Sequence, residues 1–326
     1  MAQKVLVVIP TAGSADDVER IKMSIDKMGA SLHYIGLEPV FHIAHVSGIK
    51  AKLQRALLGV NENVTFYRRS GKGFGEAIIA AINDGVSRHS PDFVMTGFAD
   101  YLNESSYAGN LVKPLLYREA DFTTGAWQDR RATALEVPLP QYLNETRVSA
   151  AVTYANPSFK PSKTSLAPHA AVNEAVQSGK GLQTFAGFLA FRAEHWPKLQ
   201  RELNSTLRGA RKHVHGWGIE PALLLSALNS GLRVANAPFK RGYEHKFPVD
   251  REKFIAGRLM QFDDGMAVVR HFLQSTRQKE KLKHFDAALP IEREKIQRSP
   301  LRISRHAKAV EKFGVAPRFL YRESER

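Results

Sequence analysis

Residues 4–13, Lys-Val-Leu-Val-Val-Ile-Pro-Thr-Ala-Gly, decide the fold of this chain. The stretch is a continuous apolar and β-branched run that ends at Pro10 and passes into a Thr-Ala-Gly loop. A run without polar alternation predicts a strand that is buried on both faces, as in a parallel sheet. We therefore expect Lys4–Pro10 to be a central strand that leaves into a loop.

Strands and helices alternate along the chain after this first strand. The predicted strands are Val40–Val46, Val64–Tyr67, Phe93–Phe98 and Leu232–Ala237, and the predicted helices are Val18–Met28, Glu76–Val86, Glu220–Leu228 and Phe254–Phe272. This alternation predicts the α/β class, with a mostly parallel central sheet flanked by helices. Two proline-containing segments, Leu135–Leu143 and Pro157–Pro168, are interpreted as loops or as a flap over a site.

The composition limits the kind of protein. Of the 326 residues, 43% are hydrophobic and 24% are charged, which is typical of a globular protein with a sizeable core. The absence of cysteine excludes disulfides, thiolate metal sites and cysteine nucleophiles. There is no uncharged apolar run of about 18 residues and no signal-peptide pattern. We therefore expect a cytoplasmic protein without a transmembrane segment.

Positive charge is the unusual property of the sequence. The formal net charge is +15 at pH 7, and this sign favours anionic partners. Residues 276–326 contain 14 Lys and Arg against 7 Asp and Glu. We divide the chain into a domain of residues 1–250 and a basic, mainly helical C-terminal extension of residues 251–326. Packing on the domain, homo-oligomer formation and peripheral contact with the inner face of a membrane stay open for this extension.

A glycine-rich segment, Ser-Gly-Lys-Gly-Phe-Gly at residues 70–75, lies between a predicted strand and a predicted helix. Glycines at a helix start let backbone N–H groups approach a phosphate, and Lys72 adds a full positive charge. The spacing matches neither a P-loop nor a dinucleotide-binding fingerprint. A phosphate site and a simple flexible turn both stay open.

Three further segments carry residues suited to chemistry. Asp100 closes a predicted strand, where open α/β sheets bind ligands and where a carboxylate suits Mg²⁺ or Mn²⁺, although it could equally cap the next turn. In residues 213–220, Trp217 offers a stacking face, and Glu220 is either a base or a glutamate that stabilises a helix dipole. His245 follows the last predicted strand, and a neutral imidazole is a common metal ligand.

Taken in order, these segments resemble the GT-A glycosyltransferases. The segments that carry the resemblance are Val5–Thr11, Ser70–Gly75, Ala99-Asp100, Ala120–Ala126, Gly216–Glu220 and His245. The sequence is similar to the family of polyprenyl-phosphate sugar transferases and also to the mannosylglycerate and glucosyl-phosphoglycerate synthases. The resemblance implies a GT-A-type nucleotide-diphospho-sugar transferase fold with a C-terminal helical appendage.

The resemblance also implies four groups of site residues. The nucleotide sugar would contact Pro10, Thr11, Gly13, Gly71, Lys72, Gly73, Ala99 and Asp100. The acceptor or the donor sugar would contact Gly125, Trp127, Gly187, Trp217, Gly218 and Glu220. Asp100 and His245 would hold Mn²⁺ or Mg²⁺, and Glu220 and Asp100 would be the catalytic residues.

The implied activity is that of a hexosyltransferase, which moves a sugar from a nucleotide-diphosphate sugar to an acceptor hydroxyl or phosphate. The metal would offset the charge on the leaving diphosphate, while the protein positions the acceptor. The acceptor stays open among a lipid phosphate, a nucleic acid and a small phosphorylated molecule. Two other functions also stay open: a sugar nucleotidyltransferase, and a non-catalytic basic binding protein on a degenerate GT-A scaffold. Phe98, at the usual first acidic position, motivates the second of these.

Overall fold

The structure is a computed structural model of the chain. It describes residues 2–11, 15–45, 50–57, 63–68, 73–97, 105–127, 138–160, 182, 188–239 and 250–300. Among these residues, the strands form one sheet with the bounds β1 Gln3–Pro10, β2 Leu37–His45, β3 Asn63–Arg68, β4 Phe93–Thr96, β5 Phe122–Trp127, β6 Leu189–Arg192 and β7 Val234–Phe239.

The strand order across the sheet is β3-β2-β1-β4-β6-β5-β7. β6 runs antiparallel to its neighbours β4 and β5, whereas the other pairs of adjacent strands are parallel. The mostly parallel α/β sheet predicted from the sequence is thereby confirmed. The parallel strands end at one edge of the sheet, which we call the carboxyl edge, and β6 begins there.

The central strand β1 is apolar throughout because both of its faces are covered. Leu6 and Val8 point into a hydrophobic cluster on one face, and Val5, Val7 and Ile9 point into a second cluster on the other. All five side chains are 0% exposed. Burial of a residue of this size stabilises the fold by about 1.5–3 kcal/mol. Strand β1 therefore lies between two hydrophobic cores and contributes side chains to both.

Helices cover both faces of the sheet. Their bounds are α1 Ala15–His33, α2 Lys50–Ala56, α3 Phe74–His89, α4 Ala108–Leu116, α5 Leu139–Ala155, α6 Trp196–Ser205, α7 Arg211–His215, α8 Ile219–Asn229, α9 Arg251–Ser275 and α10 Lys279–Arg298. Helices α1, α2 and α4 pack on the face that contains Val5, and the other helices pack on the face that contains Leu6. The four helices predicted from the sequence lie within α1, α3, α8 and α9.

One loop prediction is wrong in part. The segment Leu135–Leu143 was expected to be a loop because of its prolines, but α5 begins at Leu139. Pro138 is the N-cap and Pro140 lies in the first turn, where the N–H that proline lacks has no partner within the helix. Prolines at these positions start a helix and do not break it.

The C-terminal helical region is confirmed, and it packs closely on helices α5, α7 and α8. Phe262, Phe272 and Ile296 are 0% exposed and belong to the same hydrophobic cluster as Leu6. At the start of α10, the side-chain amide of Gln278 donates to the Ala155 carbonyl (3.1 Å) and closes the end of α5. The division into two domains at residue 250 stays a prediction. No helix in the described ranges is long and apolar enough to cross a membrane.

Candidate active site

The end of β1 lies at the carboxyl edge of the sheet, where ligands bind in open α/β folds. Thr11 follows β1 directly, and its side chain is 5% exposed. The N–H of Thr11 donates to the carbonyl of Ala44 (3.0 Å), which extends the pairing of β1 with β2 beyond the last strand residue. The structure thus locates Pro10 and Thr11, two predicted nucleotide contacts, at this edge.

The end of β4 reaches the same edge and is fixed on both sides. The N–H of Gly97 donates to the carbonyl of Val8 (2.9 Å), and the hydroxyl of Thr96 accepts a hydrogen bond from the N–H of Leu189 (3.2 Å). These contacts hold β4 between β1 and the start of β6. Asp100 follows Gly97 by three residues and lies outside the described residues.

Two predicted sugar contacts belong to β5. Gly125 is buried, and its N–H donates to the carbonyl of Phe188 (2.9 Å) just before β6 begins. Trp127 is the last residue of β5, and its backbone pairs with Phe239 at the end of β7. Both residues therefore lie at or near the carboxyl edge, and their contact with a sugar stays a prediction.

The start of α3 lies directly against the end of α7. The N–H of Gly75 donates to the carbonyl of Gly216 (3.0 Å). A Cβ atom at Gly73 would collide with the carbonyl oxygen of His215, and one at Gly75 would collide with that of Val214. Packing therefore requires both glycines. This requirement is separate from any phosphate contact and from flexibility of the turn. A nucleotide contact by Gly73 stays a prediction.

An aromatic stack lies at this contact. Gly216, Trp217 and Gly218 form a turn between α7 and α8, which we call the 216–218 turn. The rings of Phe74 and Trp217 stack with centroids 4.5 Å apart and planes inclined by 23°. Offset stacking of this kind contributes roughly 0.5–1.5 kcal/mol beyond the burial of area. Because Trp217 is only half-buried, part of its surface stays open to a ligand.

Asp264 of α9 holds the other side of the 216–218 turn. One carboxylate oxygen, Oδ2, accepts a hydrogen bond from the backbone N–H of Trp217 (2.9 Å). The other oxygen, Oδ1, lies 2.8 Å from Nδ1 of His213. A carboxylate can only accept, so Nδ1 of His213 is the donor in this bond. The turn is thereby enclosed between α3 and α9.

Glu220 lies in the first turn of α8, directly after the 216–218 turn. Its side chain is half-buried, and the positive end of the helix dipole stabilises its carboxylate. Gly218 is the N-cap, and a Cβ atom there would lie 2.7 Å from Cγ2 of Val268 and 2.8 Å from the carbonyl oxygen of His213. Packing thus accounts for Gly218, while the roles predicted for Gly218 and Glu220 at a sugar stay predictions.

The remaining predicted site residues lie outside the described residues: Gly13, Gly71, Lys72, Ala99, Asp100, Gly187 and His245. This set includes both predicted metal ligands. Within the described ranges, no group of three or more His, Asp or Glu side chains is placed to hold a metal ion. The metal site therefore stays a prediction from the sequence.

A second polar group, the His42 cluster, consists of His42, Thr65, Asp84 and His89. His42 is 0% exposed, with Nδ1 2.7 Å from the Thr65 hydroxyl and Nε2 3.1 Å from Oδ2 of Asp84. The same hydroxyl lies 3.3 Å from Nε2 of His89. The cluster joins the middle of β2 and β3 to the last turns of α3, away from the carboxyl edge.

Burial lowers the pKa of His42 to about 4, because the charged imidazolium would lose its hydration. The Asp84 carboxylate opposes this effect, and the charges of His89 and Arg88 add to it. Burial also lowers the pKa of His89. Both imidazoles are thus neutral at pH 7, and the cluster is a hydrogen-bonded connection between a helix and two strands.

Sequence reasoning missed Asp264 and the His42 cluster. Asp264 lies 47 residues after Trp217 in a helix that was expected to belong to the C-terminal extension, and no local pattern singles it out. His42 did carry a signal, because it is an ionisable residue within a run predicted to be a buried strand. Such a side chain requires polar partners from neighbouring elements.

Comparison with known proteins gave matches among solved structures alone. No family model and no curated protein matches the sequence. The chain is similar to glucosyl-3-phosphoglycerate synthase from Mycobacterium tuberculosis, with 17% identity, a TM-score of 0.47 and coverage of 84% of this chain and 80% of that chain. It is also similar to a mannosyltransferase from Pyrobaculum calidifontis in complex with GDP-Man and Mn²⁺, with 16% identity, a TM-score of 0.47 and coverage of 100% and 80%.

A third similar structure is that of a synthase. It is 4-diphosphocytidyl-2C-methyl-D-erythritol synthase from Anaerococcus prevotii, with 10% identity, a TM-score of 0.45 and coverage of 78% of this chain and 97% of that chain. Each likeness is one of overall fold, and each TM-score is below 0.5. No assignment of substrate rests on these matches.

Proposed function

We propose that the chain is a metal-dependent glycosyltransferase that moves a sugar from a nucleotide-diphosphate sugar to an acceptor hydroxyl or phosphate. The stack of Phe74 on Trp217 carries the proposal. It joins the glycine-rich segment, which the resemblance assigns to the nucleotide, to the 216–218 turn, which the resemblance assigns to a sugar. A site that binds both parts of one donor molecule requires these two segments to lie next to each other.

The described residues have separate roles in this proposal. Pro10 and Thr11 border the nucleotide at the end of β1. The open surface of Trp217 stacks on a sugar ring, a use to which half-buried indole rings are suited. Glu220 accepts the proton of the acceptor hydroxyl, and its place beside Trp217 brings a carboxylate close to the bound sugar.

Asp100 and His245 would hold the metal in this proposal. A carboxylate and an imidazole are ligands that suit Mn²⁺, while the carboxylate also suits Mg²⁺. When bound, the ion offsets the negative charge that develops on the leaving diphosphate. The chain's own residues bind the donor and orient the acceptor.

A panel of nucleotide sugars with Mn²⁺, read by mass spectrometry for released nucleoside diphosphate, tests the proposal directly. We expect at least one donor to be consumed by the wild type, and we expect Asp100→Asn and His245→Ala to abolish this turnover. Asp92→Asn is the matched control, because Asp92 lies at the opposite end of β4 and accepts a hydrogen bond from the N–H of Lys4 (2.8 Å). Full activity in both site variants would refute the assignment of the metal ligands.

Nucleotidyl transfer is the second candidate reaction, because enzymes of that class also have a glycine-rich segment after a strand, as residues 70–75 are placed here. The two reactions release different products: a glycosyltransferase releases a nucleoside diphosphate, and a nucleotidyltransferase releases pyrophosphate. Incubation with nucleoside triphosphates and sugar phosphates therefore separates them. Pyrophosphate release would replace the proposed function by sugar nucleotidyl transfer, and stabilisation by no nucleotide sugar in a thermal-shift screen would favour a non-catalytic binding protein.

The acceptor is proposed to be anionic because of the net charge of +15. Residues 301–326 contribute seven Lys and Arg against three Asp and Glu, and they follow α10. A deletion from residue 301 removes this positive charge and retains Phe285 and Ile296, which belong to the core. Binding to anionic liposomes or to DNA, measured for both proteins across salt concentrations, identifies the acceptor class. Binding to neither would favour a small phosphorylated acceptor.

A further inference from the structure

Three elements meet at the 216–218 turn: the start of α3, the end of α7 and the middle of α9. The turn contacts α3 through the stack of Trp217 on Phe74 and through the bond from the Gly75 N–H to the Gly216 carbonyl. It contacts α9 through the hydrogen bond from the Trp217 N–H to Asp264. The turn therefore lies between the glycine-rich start of α3 and the C-terminal helical region.

The contact with α9 has no room for a side chain. A Cβ atom at Gly216 would collide with Oδ2 of Asp264, and one at Gly218 would lie 3.0 Å from the Asp264 carbonyl oxygen. Distances of this kind require glycine on the turn, because the neighbouring atoms are backbone or a carboxylate that is already bonded. The turn thus takes its shape from Asp264 on one side and from α3 on the other.

The two carboxylate oxygens of Asp264 have different partners. Oδ1 accepts from Nδ1 of His213 (2.8 Å), and Oδ2 accepts from the Trp217 N–H (2.9 Å). The His213 bond orients the carboxylate, and the second oxygen then fixes the backbone at Trp217. Hydrogen bonds to a charged acceptor are roughly twice as strong as those between neutral groups. An asparagine at this position has no negative charge and one acceptor oxygen. If that oxygen keeps the Trp217 N–H, the bond is weaker, and the amide NH₂ must donate to His213 in its other tautomer.

The geometry points to Asp264 as the positioning residue of the site: it acts through the Trp217 backbone to hold the indole ring on Phe74 and in the path of the sugar. This inference rests on the proposed function for its consequence in turnover. Its structural part, the dependence of the Trp217 position on Asp264, is independent of any substrate. The C-terminal helical region then takes part in substrate binding through the backbone of the 216–218 turn.

Asp263 is a matched control on the same helix. Its carboxylate pairs with the Arg293 guanidinium of α10 at 2.9 and 3.0 Å. The hydrogen bond from the turn to α9 goes to Asp264 instead. Asp263→Asn therefore removes a charged contact between α9 and α10 and leaves the 216–218 turn unchanged. A general weakening of the C-terminal region affects both variants, whereas loss of positioning affects Asp264→Asn alone.

The first experiment is ¹⁹F NMR on protein labelled with 5-fluorotryptophan. The chain contains three tryptophans, so three resonances are expected. Trp217→Phe assigns the resonance of interest, and Trp196, whose Nε1 donates to Asn83 (2.8 Å), is an internal reference away from the turn. We expect Asp264→Asn to shift or broaden the Trp217 resonance and Asp263→Asn to leave it unchanged. A Trp217 resonance in Asp264→Asn identical to that of the wild type would overturn the inference.

A milder variant covers the case in which Asp264→Asn does not fold. His213→Leu removes only the bond to Oδ1, so the carboxylate loses its orientation while the Trp217 N–H retains its acceptor. We expect a smaller change in the same resonance. An unchanged resonance in this folded variant would also contradict the inference, since His213 is the second partner that holds the carboxylate.

The second experiment is a double-mutant cycle on donor turnover, with the nucleotide sugar that the panel identifies. We expect Asp264→Asn to lower kcat/KM about 10- to 100-fold, the size typical of a displaced binding group. If Asp264 acts through Trp217, then Asp264→Asn lowers kcat/KM no further once Trp217→Ala is present. Additive losses would overturn the positioning role. If the wild type consumes no donor, the proposed function fails, and the NMR comparison still decides the inference.

Discussion

Helix α3 begins at Phe74 against the 216–218 turn and ends at His89 against β2 and β3, and its two ends are packed in different ways. The first end makes contacts through glycines, a backbone hydrogen bond and an aromatic stack. The second end makes contacts through ionisable side chains, with Asp84 and His89 around the buried His42. One helix therefore combines a contact that depends on shape with a contact that depends on protonation.

The two ends of α3 therefore respond to different perturbations. The glycine end lies at the carboxyl edge and contacts the turn through backbone atoms and an aromatic ring, so an added methyl group has a large effect there. The histidine end lies away from the carboxyl edge and contains side chains that titrate, so pH determines its stability. Mutations and pH can therefore separate the contribution of the site from that of the scaffold.

The largest effect is expected for Gly75→Ala, at the glycine end. The added Cβ would collide with the Val214 carbonyl and would lie 2.9 Å from Cβ of Ile219, so the backbone must shift. We expect the free energy of unfolding to fall by about 4 kcal/mol, at the upper end for overpacking. Urea denaturation followed by circular dichroism measures this change.

Gly257→Ala is the control for this substitution. Gly257 lies in α9 with nothing within 4 Å of an added Cβ, and alanine favours a helix interior over glycine. We expect this variant to gain up to about 1 kcal/mol. A loss below about 1 kcal/mol in Gly75→Ala would show that α3 and the turn can separate without strain.

The next largest effect is expected from pH at the histidine end. The pKa of His42 in the folded protein is about 4, below the ordinary histidine value of 6.5. Protonation therefore favours the unfolded chain, so the stabilisation is complete above pH 6.5 and is lost as the pH falls from 6.5 to 4. The loss from this group is about 3 kcal/mol. Urea denaturation at pH 7 and at pH 4.5 measures it.

His42→Gln removes the titrating group, so the difference in stability between the two pH values should shrink in this variant. His33→Gln, at an exposed residue in the last turn of α1, is the matched control and should retain the wild-type difference. If the pH dependence of His42→Gln equals that of the wild type, another group carries it. Those results together isolate the contribution of the His42 cluster.

The smallest effect is expected for Arg88→Ala, also at the histidine end. Arg88 pairs with Asp84 at 2.9 Å, but its side chain is 58% exposed, so solvent screens the pair. We expect the free energy of unfolding to change by less than about 0.5 kcal/mol. The charge of Arg88 lowers the pKa of His42, so its removal should raise that pKa in an NMR titration. A destabilisation above about 2 kcal/mol would mean that the pair is effectively buried.

The architecture could be predicted from the sequence where the residues of a single element are enough to determine its structure. The run Val5–Ile9 is apolar on both faces, so it predicts a strand between two cores, and the structure has it there. Helix α5 was missed, although Val148, Ala151, Val152 and Ala155 have helical spacing and are buried. The prolines led to the prediction of a loop, because the sequence alone does not show whether a proline starts a helix or ends one.

The candidate site was predictable only in part, because its contacts join distant segments. Trp217 was singled out from its own surroundings, and the structure adds that Phe74 is its partner. Asp264 follows from no local pattern, since its role depends on α9 crossing the end of α7. The requirement for glycine at positions 73, 75, 216 and 218 is likewise a property of the packed elements and not of either segment by itself.

The shared core of β1, α9 and α10 has a consequence for folding during synthesis. Leu6 leaves the ribosome early, whereas Phe272 and Ile296 of the same cluster follow almost 300 residues into the chain. Translation at roughly 5–20 residues per second separates these events by tens of seconds. During that interval the apolar surfaces of α5, α7 and α8 that α9 and α10 later cover stay exposed, and a chaperone can bind there. The nascent chain should therefore be most prone to aggregation just before α9 emerges.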